Sequence, residues 1–187
     1  MNPKVHIETA RLRLRDWVDA DTEPYAALNA DPRVMEFFPT ALTRAQSDAQ
    51  MAAIRLFLDD HGYGLYAAEE KATASFIGFV GLSHPSFEAH FTPAVEIGWR
   101  LAREAWGQGY AGEAAGAVVD HAFTVLNLDA LVSFTAKWNR PSRRVMEKIG
   151  MTRDPADDFL HPRLPPGHKL SHHVLYRLTR EDWRAAL

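Results

Sequence analysis

The stretch that most limits what this chain can become is Trp106-Gly107-Gln108-Gly109-Tyr110-Ala111-Gly112-Glu113-Ala114. Residues 94–101 read as a strand running into it, with Val95, Ile97, Trp99 and Leu101 on one face and Glu96, Gly98 and Arg100 on the other. An alanine- and valine-rich segment over 109–126 reads as a helix running out. Glycines at such a corner permit positive φ and let a ligand approach the backbone without meeting a Cβ. The first helical turn carries unpaired N–H donors, and the positive end of the helix dipole points the same way. Together these make a seat for phosphate. Glycines also end strands and begin helices for purely structural reasons. The offsets of Gly107, Gly109 and Gly112 match a dinucleotide fingerprint, but no acidic residue follows at the distance that fold requires. The Gly-Lys-Ser/Thr ending of a nucleotide P-loop is also absent.

The corner needs a domain around it, and 187 residues with 47% hydrophobic content suit one domain over 1–187, its core within 10–180. With 24 acidic against 21 basic residues and no basic block, nucleic acid is a poor partner. The absence of cysteine removes disulfides, thiolate metal sites and cysteine nucleophiles. No apolar leader opens the chain and no stretch reaches the ~18 apolar residues of a membrane span, so a cytoplasmic protein without membrane association is expected.

Along the chain, Arg11 to Asp16 alternates charge with leucine and reads as the first strand. Asp19 and Asp21 can cap a helix through Tyr25, Leu28 and Asn29, and Asp31-Pro32 restarts a short helical turn ending at Phe37-Phe38-Pro39. Thr43 caps a longer helix stopped by Gly62. Runs 64–69 and 75–82 form an antiparallel hairpin. After the corner and its helix come a strand over 130–135, a helix opened by Arg140-Pro141 and closed by Gly150, a Pro-, Asp- and His-rich loop over 154–169, and a last strand over 168–178. Gly98, inside a strand, marks a bulge or a close ligand approach. Strand, helix, strand, helix implies one parallel crossover. The sum is an α+β fold, a mixed, mostly antiparallel twisted sheet of about six to seven strands flanked by about four helices.

Gln108-Gly109-Tyr110-Ala111 behind Glu96-Ile97-Gly98-Trp99-Arg100-Leu101, followed by Asn139-x-x-Ser142-x-x-Val145-x-x-Lys148-x-Gly150-Met151, resembles the acetyl-CoA-binding core of the GNAT superfamily of N-acetyltransferases. Within it the pattern is most similar to the bacterial ribosomal-protein alanine N-acetyltransferases. The resemblance runs from Leu12 to Leu178 and is strongest over 94–151. It implies that backbone N–H groups of Gly107, Gln108, Gly109, Tyr110, Ala111 and Gly112 hold the coenzyme's pyrophosphate, with Trp106 standing where the family pattern usually has Arg or Gln. It implies pantetheine contact at Trp99, Arg100 and Leu101, mainly through backbone, and at Asn139. It further implies that Glu96 takes the proton from the amine, directly or through water, and that the Ser142 hydroxyl meets the sulfur and reprotonates the leaving thiolate.

Alternative readings stand beside each of these. Glu96 can be a surface carboxylate paired with Arg100 on the same face. Asn139 and Ser142 can be helix-capping residues, and Trp99 and Leu101 can be core. The nine histidines lack metal-ligand spacing, and no metal is expected. The acceptor, a protein N-terminal amine by resemblance or a small amine such as an aminoglycoside, polyamine or amino acid, is expected between the front helices and the late loop. Trp17, Phe37, Phe38, Trp138 and residues 155–168 are its candidate walls, and Asp31, Asp59 and Asp60 are candidate attractors for a cation. A catalytically silent acyl-CoA-binding module is the alternative outside the enzyme class, and an exposed last strand leaves room for a homodimer.

Overall fold

The protein is described here by a computed structural model covering residues 3–186. The elements run β1 (Val5–Glu8), β2 (Leu12–Arg15), α1 (Thr22–Ala30), α2 (Arg44–His61), β3 (Leu65–Glu70), β4 (Ser75–Ser83), β5 (Glu96–Leu101), α3 (Tyr110–Thr124), β6 (Ala130–Ala136), α4 (Arg140–Lys148), β7 (Phe159–Leu160), β8 (His172–Thr179) and α5 (Arg180–Ala185). They form one sheet in the order β1-β2-β3-β4-β5-β6-β8-β7, antiparallel throughout except between β5 and β6. This is the expected mixed, mostly antiparallel α+β architecture with a few more elements.

Local sequence explains most boundaries. Thr43 accepts a hydrogen bond from the Gln46 N–H while the Gln46 side chain accepts from the Thr43 N–H at 2.9 Å, a reciprocal cap that starts α2. Gly62, at φ 72°, ends it. Asn139 Oδ1 accepts from the Ser142 N–H at 3.2 Å and opens α4, and Gly150, at φ 85°, follows it. In β2, Leu12 and Leu14 are fully buried while Arg13 reaches Glu69 at 3.1 Å.

The sheet buries both faces. Against one lies α3, whose Ala114, Ala115, Val118, Ala122 and Phe123 pack on Leu14, Val80, Ile97 and Leu131. On the other, α1 and α2 bring Tyr25, Leu28, Met51 and Ile54 against Trp17, Ala67 and Phe79. The buried Arg15 joins these layers, donating to Asp21 at 2.8 Å and to Glu69 at 2.7 Å. Each carboxylate offsets part of the guanidinium's desolvation, so neither can be lost without leaving charge uncompensated.

Several expectations are corrected. β1, β7 and α5 carry too few residues to show a period, and their patterns gave no signal. Residues 32–40 form successive turns rather than a helix, held by hydrogen bonds such as Met35 N–H to the Asp31 carbonyl at 3.0 Å. The last strand begins at His172, because 161–171 is spent on turns closed by local bonds such as Ser171 N–H to the His168 carbonyl at 2.9 Å. No bulge occurs at Gly98, since the register from Gly78↔Leu101 to Ser83↔Glu96 is continuous.

Glycine is required at Gly78, where β4 faces Leu101 of β5. Its φ is +132°, and a Cβ there would fall 2.2 Å from the Arg100 carbonyl oxygen. Gly78→Ala should therefore lower unfolding stability by about 3 kcal/mol, combining backbone strain with a clash that only backbone movement relieves. Urea unfolding of the two proteins measures it, and an unchanged midpoint would contradict the assignment.

Candidate active site

The site grows from a failure of two strands to stay paired. β5 and β6 are in register at Glu96↔Val132, where the Val132 N–H donates to the Val95 carbonyl at 2.9 Å. One residue on, the Ser133 hydroxyl donates to the Ile97 carbonyl at 2.9 Å. Beyond that point the strands diverge. Backbone groups alternate between the two edges of a strand, so the N–H and C=O of Trp99 and the N–H of Leu101 turn to the same side as the Ile97 carbonyl, into the opening. The Leu101 carbonyl there is taken by the Trp106 indole N–H at 2.9 Å. The opening forms a cleft of about 790 Å³ that passes from the glycine corner to the 32–40 turns.

At one end of this cleft lies the amide nest. Gly107 and Gly109 adopt φ of 72° and 82°, and α3 starts at Tyr110 with Gly109 as its cap. The first-turn N–H groups point into the cleft with the positive end of the helix dipole. Gly112 lies one turn in, and a Cβ there would meet Lys148 Cδ at 3.1 Å, so its small size lets α4 come close. Arg144 and Lys148 of α4 line the same end and make it cationic. Gln108 turns its side chain back to the Glu104 carbonyl at 2.8 Å, so its contribution to the nest is backbone alone.

Residues far away in sequence hold the nest. Glu113 accepts from the Thr9 hydroxyl at 2.6 Å, the Arg11 N–H at 2.9 Å and Arg11 Nε at 2.7 Å. Arg11 Nη1 in turn donates to the Gln108 carbonyl at 2.9 Å, and its guanidinium lies 4.4 Å from the Tyr110 ring centre. Burial would raise the Glu113 pKa, but the bonds from Thr9 and Arg11 outweigh it and hold the carboxyl below its ordinary value. About a hundred positions separate these partners, and no local pattern marks them.

Glu96 sits at the fork itself. It is half-buried, and burial pushes its pKa up to about 8, opposed by a long contact from the Ser83 hydroxyl at 3.5 Å. Arg100 is not its partner; the guanidinium lies on the α1 side and donates from Nη1 to Asn29 Oδ1 at 2.5 Å. The backbone of Arg100 faces β4, so the structure does not bring this residue to the nest end. Ser142 lines the cleft on the first turn of α4, while Asn139 is engaged in capping and donates from Nδ2 to the Thr135 hydroxyl at 2.9 Å.

The far end is walled by Phe37, Phe38, His161, Arg163, Leu164 and His173. Phe87, Phe91, Phe134 and Phe159 pack around the two histidines. Burial lowers the His161 pKa and brings that of His173 to about 4, so both rings are neutral near pH 7. Five candidates do not reach the cleft. Trp17 is core, its indole N–H on the Leu65 carbonyl at 2.7 Å. Trp138 is exposed under Lys137. Asp59 lies by a separate hollow on α2 with Asp60 beside it, and Asp31 caps the turn through the Arg33 N–H at 2.8 Å. Among the described residues no group of three or more His, Asp or Glu is placed to hold a metal ion, and no helix is long and apolar enough to cross a membrane.

A parted parallel pair, a positive-φ glycine nest at a helix N-terminus and a half-buried carboxylate between them line one cleft. The chain belongs to the acetyltransferase (GNAT) domain family, whose pattern matches residues 11–152, and it is an N-acetyltransferase of that family. It is 34% identical over 152 residues to the uncharacterized protein YkkB of Bacillus subtilis, covering 81% of this chain and 87% of that one. It is 30% identical over 190 residues to FsC-acetyl coenzyme A-N(2)-transacetylase of Aspergillus fumigatus, covering 97% and 78%. An acetyltransferase structure from Agrobacterium tumefaciens superposes with TM-score 0.75 at 31% identity, covering 95% of each chain. Acetyl-CoA is the coenzyme of the family.

The raised Glu96 pKa has two consequences. Between the ordinary value of 4.5 and about 8 the folded protein binds a proton that the unfolded chain has released, so this group's contribution to stability falls as pH rises through that window. If Glu96 takes the amine's proton, the rate should climb toward a plateau above about pH 8, where the carboxylate form predominates. Glu96→Gln is expected to lower kcat by about a hundredfold and to remove the inflection near pH 8, leaving only the titration of the amine. A profile unchanged by the substitution would exclude proton transfer at Glu96.

Proposed function

We propose that this chain transfers an acetyl group from acetyl-CoA to a primary amine by direct attack with both substrates bound. The observation that carries the proposal is the continuity of the cleft, which joins the nest, the open β5 edge and Glu96 in one space. The residues present suit the coenzyme. The nest and the α4 cations would hold its pyrophosphate, with N–H groups of Gly107 to Gly112 as donors. The Trp99 backbone, beside Leu101 and Asn139, would pair with the pantetheine arm as an added strand does. When bound, acetyl-CoA supplies an activated acyl thioester.

The protein's own groups account for the rest. The Trp99 N–H, next along β5 beyond the last paired residue and on the open edge, is the donor that would polarise a carbonyl there. Glu96, as carboxylate, takes a proton from the incoming ammonium, directly or through one water, since a protonated amine has no lone pair with which to attack. Ser142, which lines the same cleft, would return a proton to the thiolate. The fork would hold both reacting groups side by side in one cleft, and such positioning contributes to rate.

The acceptor enters between the 32–40 turns and residues 161–164. A protein N-terminal amine is the first candidate, resting on the motif resemblance. The walled far end favours a second, the amine of a small molecule, because its aromatic lining and neutral histidines form a pocket rather than an open groove.

Calorimetric titration with acetyl-CoA, run beside a thiol-release assay over N-terminal peptides and small amines, tests the proposal. Binding with turnover on one acceptor class is expected. Ser142→Ala should then lower kcat by about tenfold with little change in coenzyme affinity. Binding without turnover on any amine would favour a silent acyl-CoA-binding module, and no binding at all would overturn the reading of the nest.

A further inference from the structure

Arg100 is a buried cation without a counter-ion. It is 9% exposed, and among the described residues no carboxylate lies within ion-pair distance of it. The Nη1 bond to Asn29 is neutral on the acceptor's side, and Nε is buried with no acceptor at all. Phe38 and Phe79 lie over the guanidinium, with ring centres at 4.2 and 5.3 Å. Burial lowers its pKa, with the partial charge of Tyr25 opposing, so the site carries an unmet electrostatic demand. Elsewhere this chain meets such a demand in full, as the pairing of Arg15 with Asp21 and Glu69 shows.

The residue lines the acyl-transfer cleft. On β5 it shares a face with Glu96 and Gly98, four residues from the carboxyl, a separation of about 13 Å along the strand. Gly98 leaves the floor between them open, since a Cβ there would meet nothing nearer than Glu96 Oε1 at 3.9 Å. Arg33, Glu36 and Arg163 are exposed residues lining the same cleft.

We propose that the acceptor amine carries a carboxylate, received by the Arg100 guanidinium where that residue lines the cleft, while the amine lies at Glu96 across the Gly98 floor. This rests on the acetyl-transfer reading and narrows its substrate class. The planar fork of arginine matches a carboxylate in bidentate fashion, which an ammonium cannot reproduce. Polyamines, which bring only positive charge to this cation, are disfavoured by the same geometry. Two sources share the chemistry, a small amino acid-like molecule and an acidic peptide N-terminus.

The test compares matched acceptors that differ only in charge. ω-Amino carboxylates of increasing chain length, and C-terminally amidated tripeptides ending in Glu, are titrated by calorimetry beside their carboxamide and Gln counterparts, with and without CoA. The proteins are wild type, Arg100→Met and Arg100→Lys. An acid of one source should bind wild type at least about tenfold tighter than its amide, the scale of one charge-assisted pair. Arg100→Met should abolish that preference while amide affinity and unfolding midpoint hold, and Arg100→Lys should keep part of it. Equal binding of acids and amides by wild type, or a preference surviving in Arg100→Met, would overturn the proposal. Because the comparison is read in binding, absence of turnover would count against the acetyl-transfer reading and leave this one to its own result.

Discussion

The structure turns on one unmade set of hydrogen bonds. β5 and β6 pair at a single register, pinned by Val132 on Val95 and Ser133 on Ile97, and then part. Unpaired backbone in a protein interior is costly, so a sheet opened this way needs something that can complete it. The α3 N-terminus adds its unpaired first-turn donors to this opening, whereas the first turn of α4 is closed by Trp138 and Asn139 and contributes side chains instead. The parting thus produces the site, and the remaining strands hold it in place.

How far this was legible in the sequence depends on the range of the interactions involved. The nest, the strand before it and the caps at Thr43, Asn139 and Gly150 are set by neighbours within a few residues, and pattern reading recovers them. The alternation of β5 assigned Ile97, Trp99 and Leu101 to one face and Glu96, Gly98 and Arg100 to the other, as found. The partners of those side chains were not legible. Glu96 and Arg100 share a face at a spacing that suggests a pair, yet strand geometry keeps them apart and α1 supplies Asn29 instead. The clamp of Thr9 and Arg11 on Glu113 joins the start of the chain to its middle and follows from topology alone.

The errors share a cause. Trp17 and Trp138 were placed by residue type, since aromatic side chains serve pocket walls and cores equally well. One became core beside Tyr25 and the other stayed on the surface. Asp59 and Asp60 were placed by charge, but their helix presents them away from the cleft. What distinguishes Phe37 and Phe38 is that turns, not a helix, carry them over the sheet edge.

The Arg11–Glu113 clamp has a consequence for how the molecule holds together. The hairpin of β1 and β2 lies at the sheet's edge, yet it fastens the loop that shapes the nest. A ligand in that nest binds only the state in which hairpin and helix are joined. It therefore adds its binding free energy to an edge it never touches, about 2.7 kcal/mol at a hundredfold excess over Kd. Fraying of the chain's first strands and loss of ligand become one linked equilibrium, and the marginal edge of the sheet is steadied by whatever fills its centre.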